Sequence, residues 1–259
     1  MTTHWTFLCS FLVCLPAAAQ PLSLQEALAK PILTANRALI EAQVYTASHV
    51  KSMPLVSSAQ QWTQAKEALR QRVLNEVVLR GEGRKWAAAK TRVEWLEVVP
   101  GNGYKIRKLR YEMIPGFWIP ALLYEPEKLT GKAPVILNTN GHEGAGVAND
   151  YIQIRCINQA KKGAIAFNFE WLGMGQLKAD GFSHYANQST GPAGHEWRRT
   201  ALSVAEARAG YPVVAAECGS LARVAVTGLS GGGWQTILIS ALDPRVDHRQ
   251  SRWPAIPAL

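Results

Sequence analysis

The spacing of hydrophobic and polar residues changes three times along the chain, and each change marks a change in expected structure. From 23 to about 56, Leu24, Ala27, Leu28 and Ile32 fall near helical spacing, interrupted by Pro31, which predicts loose helix. From 60 to 80 the pattern is cleaner: Trp62, Leu69, Val73 and Val77 form one stripe, and Gly81 supplies a stop. This front part is expected to pack as helices on the domain that follows. From 93 the period shortens to two. Segments 93–99, 104–113 and 118–124, separated by Pro100-Gly101-Asn102-Gly103 and by Pro115-Gly116, read as antiparallel strands.

Beyond 131 the texture changes again. The runs 134–137, 164–169 and 223–227 are short and mostly apolar, as in strands buried on both faces. Between the first two, 151–162 reads as a helix with Ile152, Ile154, Cys156, Ile157 and Ala160 among its apolar positions; 234–242 reads as another. Strand, helix, strand, linker, strand, helix predicts an α/β fold, a mostly parallel sheet with crossover helices on its faces.

The first residues stand apart. An apolar run from Trp5 to Leu15 is followed by Pro16 and Ala17-Ala18-Ala19, the pattern of an export signal over 1–19 cleaved before Gln20. The run is shorter than the roughly 20 apolar residues a membrane span needs. The expected location is therefore secreted or periplasmic, with no membrane association after cleavage. In that setting Cys156 and Cys218 could pair or remain as two thiols, and the sequence does not choose between them.

Composition adds little beyond a core-forming protein: 47% of the 259 residues are hydrophobic and 18% charged. The net charge of +9 is concentrated, since Lys66 to Arg110 holds twelve Lys and Arg against five Glu. Those charges interleave with apolar residues at helix and strand periods, which favours solvated faces over a nucleic-acid surface. No motif calls for a cofactor, and no Cys/His cluster has metal-site spacing.

The chemistry concentrates near residue 230. Gly228-Leu229-Ser230-Gly231-Gly232 is a G-x-S-x-G sequence between an apolar strand and a helical run, the context of a nucleophile elbow. A strand that reverses into a helix at this serine leaves no room for side chains two residues to either side. The helix start beneath it offers free N–H groups to a developing oxyanion. Gly231 is the first expected donor. The loop after the first buried strand, 138–146, is polar and glycine-rich, and its backbone at Gly141, His142 and Glu143 is expected to supply the second. His142 beside such a loop is read as shaping it rather than as the general base.

Taken together, PVILNTNGHEG, AIAFNFEWLGMGQ and ARVAVTGLSGGGWQT resemble the α/β-hydrolase superfamily, in particular exported bacterial acetyl xylan esterase-like and dienelactone hydrolase-like proteins. The resemblance implies a serine esterase with Ser230 as nucleophile and a pocket loop at Glu170, Trp171, Gly173 and Gly175. It implies a small-molecule or polysaccharide ester as substrate, no cofactor and no nucleic acid. A serine peptidase with the same machinery, or a non-catalytic remnant, is the alternative.

In that family the acid and the histidine follow the serine. Here the only later candidates are Asp243, Asp247 and His248, and 247–259 carries charges and two prolines unsuited to a central strand. Glycine and proline also break the expected helix within 186–220. The expectation is therefore a signal peptide (1–19), a helical segment (20–90), a partial α/β-hydrolase domain (91–246) truncated at its C-terminus, and an atypical tail (247–259). Reading-frame shifts within 186–220 and after 246 would produce this pattern, as would a short, altered homologue; the coding DNA separates the two.

Overall fold

The computed structural model describes residues 23–129, 131–179 and 223–252, with side chains to Val246 in the last stretch. The expected signal segment, Cys218 and the irregular stretch 186–220 lie outside the described residues. The chain divides into two units, 1–55 and 56–259. The expected boundary at 90/91 falls inside the second unit.

In the first unit, α1 (Leu24–Ala29) begins with a reciprocal capping box between Ser23 and Glu26. The segment containing Pro31 separates it from α2 (Arg37–His49). Neither helix contains a buried residue.

The second unit opens with α3 (Ala59–Val73), capped by Ser58, whose last turn widens into a π-turn over Leu74–Val78. Gly81, with φ of +64°, follows as expected of a stop, and α4 (Gly83–Ala88) comes next. The expected packing stripe is not buried. Trp62, Leu69 and Val77 are 41%, 38% and 43% exposed, and Val78, one position round the widened turn, is buried instead. The π-turn rotates the end of the stripe away from a 3.6-residue period.

Seven strands form one sheet in the order β1-β2-β3-β5-β4-β6-β7. β1 (Val93–Gly101), β2 (Tyr104–Ile114) and β3 (Phe117–Pro126) are an antiparallel meander whose turns use Gly103 and Gly116 at positive φ. β3 pairs antiparallel with β5 (Ile165–Phe169). From there β4 (Val135–Thr139), β6 (Val224–Leu229) and β7 (Val246–Arg252) continue in parallel. The charged stretch after Val246 was expected not to form a central strand. It does form a strand, but at the sheet edge, where only one side needs a partner.

Two hydrophobic layers clamp the sheet. On one face Leu109, Tyr111, Ile119, Leu123, Leu137, Phe167 and Val226 form the main core with Trp171 and Ile239. On the other, α5 (Asp150–Lys161) lays Ile152, Cys156 and Ala160, spaced by four, onto Tyr124 and Ala166. Ile154, expected among the apolar positions, faces outward at 58% exposure. Each fully buried large side chain contributes about 1.5–3 kcal/mol. Cys156 is a free, buried thiol whose pKa burial pushes up to about 12, which makes it chemically inert at neutral pH.

Candidate active site

Ser230 stands between the end of β6 and the start of α6 (Gly231–Leu242) with φ 56° and ψ −120°. A non-glycine residue there stores on the order of 1–3 kcal/mol of strain and persists only where its surroundings impose it. Ser230 is also the N-cap of α6, yet its side chain makes no capping hydrogen bond. Its hydroxyl is therefore not used by the helix it introduces.

The surroundings that impose this turn are crowded. A methyl group on Gly228 would collide with Thr139 Oγ1 and the Gly232 carbonyl; one on Gly232 would strike the Thr139 backbone. Both elbow glycines therefore exist because β4 and α6 approach too closely for any side chain. A polar clasp holds that approach. Thr139 Oγ1 lies 2.7 Å from Gly232 O and 3.1 Å from Thr227 O, Thr236 Oγ1 donates to Gly232 O at 2.8 Å, and Gln235 Nε2 donates to Asn140 O at 2.8 Å. Thr139, Asn140, Gln235 and Thr236 are at most 2% exposed. Beneath them, buried Asn168 donates to Asn138 O and Asn140 Oδ1, while Asn140 donates to Phe169 O. Satisfied networks of this kind fix a unique geometry.

The loop after β4 lies against the elbow. A methyl group on Gly141 would come within 2.7 Å of Leu229 O and 3.5 Å of both Gly231 N and Ser230 Cβ. Of the three expected loop donors, the Glu143 amide is engaged, donating to Gly141 O at 2.9 Å. The Glu143 carboxylate accepts hydrogen bonds from Asn149 Nδ2 and Tyr151 Oη and ties the loop to the start of α5. Gly141 and His142 are the residues of this loop nearest the serine and its neighbour. The His142 ring meets Trp171 edge-on at 4.7 Å between centroids, and its Cε1 would be 3.1 Å from a methyl group on Gly231.

The loop after β5 carries Glu170, Trp171, Gly173 and Gly175. Glu170 is 3% exposed and sits in a cradle formed by Gly146 and Gly175, each at positive φ and each without room for a Cβ against the carboxylate. The Gln176 amide donates to Oε1 at 3.4 Å, the Val147 amide faces the carboxylate, and Oε2 has no hydrogen-bond partner among the described residues. Burial raises its pKa to about 7, the two amides opposing that shift. Gly173 has φ of +72° in the same turn. A cleft of about 380 Å³ lies further along the sheet, lined by Leu96, Lys108, Pro120, Val147 and Gln176. Neither Ser230 nor Gly231 lines it.

The acidic and histidine candidates after the serine are placed by topology. Asp243 closes α6 at the end opposite Ser230, about 20 Å away at 1.5 Å per residue. There it is held by Arg245, Nη2 to Oδ2 at 2.6 Å. The backbone of His248 pairs with Ala225, five positions before Ser230 along β6, or roughly 16 Å, and Asp247 precedes it. All three belong to the far end of the sheet. Among the described residues no group of three or more His, Cys, Asp or Glu could hold a metal ion, and no helix is long and apolar enough to cross a membrane.

No family model matches the chain, and no curated protein matches it. Solved structures do. A methylesterase aligns at 21% identity with a TM-score of 0.58, covering 80% of this chain and 43% of its own. A candidate acetyl xylan esterase from Bacteroides fragilis aligns at 15% identity and TM-score 0.64 over 86% and 61%. Acetyl xylan esterase 1 from Thermoanaerobacterium aligns at 17% and 0.51 over 74% and 62%. The chain spans less than two thirds of the length of each. With its antiparallel meander, parallel β5-β4-β6 core and strained serine at the strand-to-helix turn, the chain has the α/β-hydrolase fold.

Proposed function

We propose that this chain is an exported serine hydrolase that acts on carboxylic esters, acetylated polysaccharide among them. The observation that carries the reading is Ser230 at φ 56°, uncommitted to capping its helix, with the Gly141 backbone packed against it and Gly231. Ser230 Oγ attacks the ester carbonyl. The carbonyl oxygen becomes an oxyanion held by the Gly231 amide at the start of α6 and by the backbone at Gly141 and His142. Collapse expels the alcohol and leaves an acyl-serine, which water then hydrolyses. The proton that Ser230 loses passes through water to the departing alkoxide, which leaves as the alcohol; Asp243, Asp247 and His248 lie too far away to carry it.

The test is hydrolysis of p-nitrophenyl acetate by the chain and by its Ser230→Ala variant, with fluorophosphonate labelling as a separate report on the hydroxyl. Turnover and labelling that vanish together in Ser230→Ala support the reading. Turnover equal in the two proteins overturns it and favours a non-catalytic remnant.

A further inference from the structure

We infer that Trp171 limits the acyl group, so that Ser230 accepts acetyl and similarly short acyl esters and excludes longer chains; this rests on the ester-hydrolase reading above. The residue after the nucleophile, whose amide would hold the oxyanion, is a glycine. The space its side chain would fill is taken by the six-membered ring of Trp171, whose Cη2 and Cζ3 would lie 2.5 Å from a methyl group on Gly231, with His142 Cε1 alongside. The ring thus packs on the Cα of the oxyanion donor.

The wall is rigid. Trp171 is 6% exposed and belongs to the main core with Leu172 and Met174, which are 7% and 5% exposed. On its N-terminal side Glu170 is fixed between Gly146 and Gly175, and its own amide donates to Pro120 O on β3. On the ring itself His142 packs edge-on. A buried ring packed edge-on by His142, on a loop pinned at Glu170, has little room to swing aside for a longer substrate.

Chemistry decides which half of the ester meets it. In the tetrahedral adduct the carbonyl carbon sits between Ser230 Oγ and the Gly231 amide, and two substituents remain. The alcohol oxygen must be protonated to leave, so it needs a proton donor and a route to water. The benzo edge of a buried indole offers neither. The acyl chain needs only an apolar surface, and that is what Trp171 presents beside Gly231.

The experiment varies each half of the ester in turn. Esters of p-nitrophenol with acetate, butyrate and hexanoate are compared with naphthyl acetate in the parent chain, Trp171→Ala and Trp171→Leu, with Ser230→Ala as background. Trp171→Leu keeps the site filled with apolar volume and serves where the alanine variant does not fold, as judged by circular dichroism. The expected result is a rise of about tenfold or more in the hexanoate-to-acetate ratio of kcat/KM in Trp171→Ala, and a smaller rise in Trp171→Leu. The naphthyl-to-nitrophenyl ratio stays constant. Serine-dependent acetate turnover with the chain-length ratio within about twofold of the parent overturns the inference and leaves the hydrolase reading intact. So does a shift in alcohol preference alone. Absence of serine-dependent turnover on every ester removes the hydrolase reading, and the inference falls with it.

Discussion

The β1–β3 meander and the β4–β6 end of the sheet share one hydrogen-bonded surface but are held together by different means. In the meander, side chains along 108–111 and 118–123 alternate between buried and more exposed positions. The solvated face carries ion pairs, Glu94 with Arg110 and Glu97 with Lys108. At the elbow almost nothing is charged, backbones touch, and buried amides and hydroxyls hold the strands in place. The first region tolerates change because water can replace what is lost. The second has no spare volume beneath the turn, while Leu229 and the strained Ser230 at its tip reach the surface.

The largest effect should come from the tightest contact. Gly228→Ala forces a methyl group into Thr139 Oγ1 and the Gly232 carbonyl, and backbone cannot move aside as a flexible side chain would. Destabilisation of about 3 kcal/mol or more is expected, read as a fall in the urea midpoint at unchanged slope. A loss under about 1 kcal/mol would mean that the elbow is not closely packed, and the contrast with the meander would collapse.

Ser230→Gly runs the other way. It removes a side chain from a left-handed backbone conformation while abolishing any chemistry of the hydroxyl. Relief of strain is expected to raise stability by about 1 kcal/mol, whereas Ser230→Ala, with its Cβ retained, gains nothing comparable. Thermal melting of the two variants side by side checks this; equal midpoints would show that Ser230 is unstrained.

How much of this was legible in the sequence follows the same divide. Alternation within 104–113, with a slip at Arg107-Lys108, and the turn residues Pro115-Gly116 before the apolar run 118–124 announced β2 and β3. G-x-S-x-G announced the elbow, because only glycine fits. The clasp was not legible. Thr139 and Thr236 are separated by 97 positions, and a threonine in a strand or a glutamine in a helix carries no mark of its partner. The available sign was the polar pair Gln235-Thr236 within a mostly apolar helix. The edge strand β7 was missed because its residues are charged, and the backbone pairing that makes it a strand does not depend on apolar side chains. At the end of the front stripe the π-turn over Leu74–Val78 breaks the period and buries Val78 in place of Val77, whereas Trp62 and Leu69, in regular helix, are exposed with no partner face to cover them among the described residues.

Glu170 offers a pH-dependent test of the buried region. Its pKa is raised from 4.5 to about 7, so the folded state holds its proton more tightly than the unfolded chain. Below pH 4.5 both states are protonated and the residue has no effect. Between 4.5 and 7 the unfolded chain ionises first, and stability falls as pH rises; above 7 the loss is complete. Glu170→Gln should therefore gain stability relative to the parent on passing from pH 4.5 to pH 8, by on the order of 1–3 kcal/mol. Urea midpoints at pH 4.5, 6 and 8 measure it, and a difference that does not change with pH would place Glu170 in water.

The meander supplies the smallest expected effects, and its two kinds of ion pair should behave differently. Glu94 and its partner Arg110 are about half exposed, so Glu94→Ala should cost no more than about 1 kcal/mol, and less as salt is added. Glu112 is the buried exception in this region. Its carboxylate accepts two hydrogen bonds from Arg92 and one from the Gly116 amide, each at 2.7 Å, and these hold its pKa at about 2. Its contribution is present above pH 4.5 and lost as pH falls toward 2, the reverse of Glu170. Acid denaturation of Glu112→Gln should accordingly be shallower than that of the parent, while Glu94→Ala follows the parent curve. If both variants follow the parent, Glu112 is as solvated as its neighbours, and the meander has no buried charge to set against the uncharged elbow.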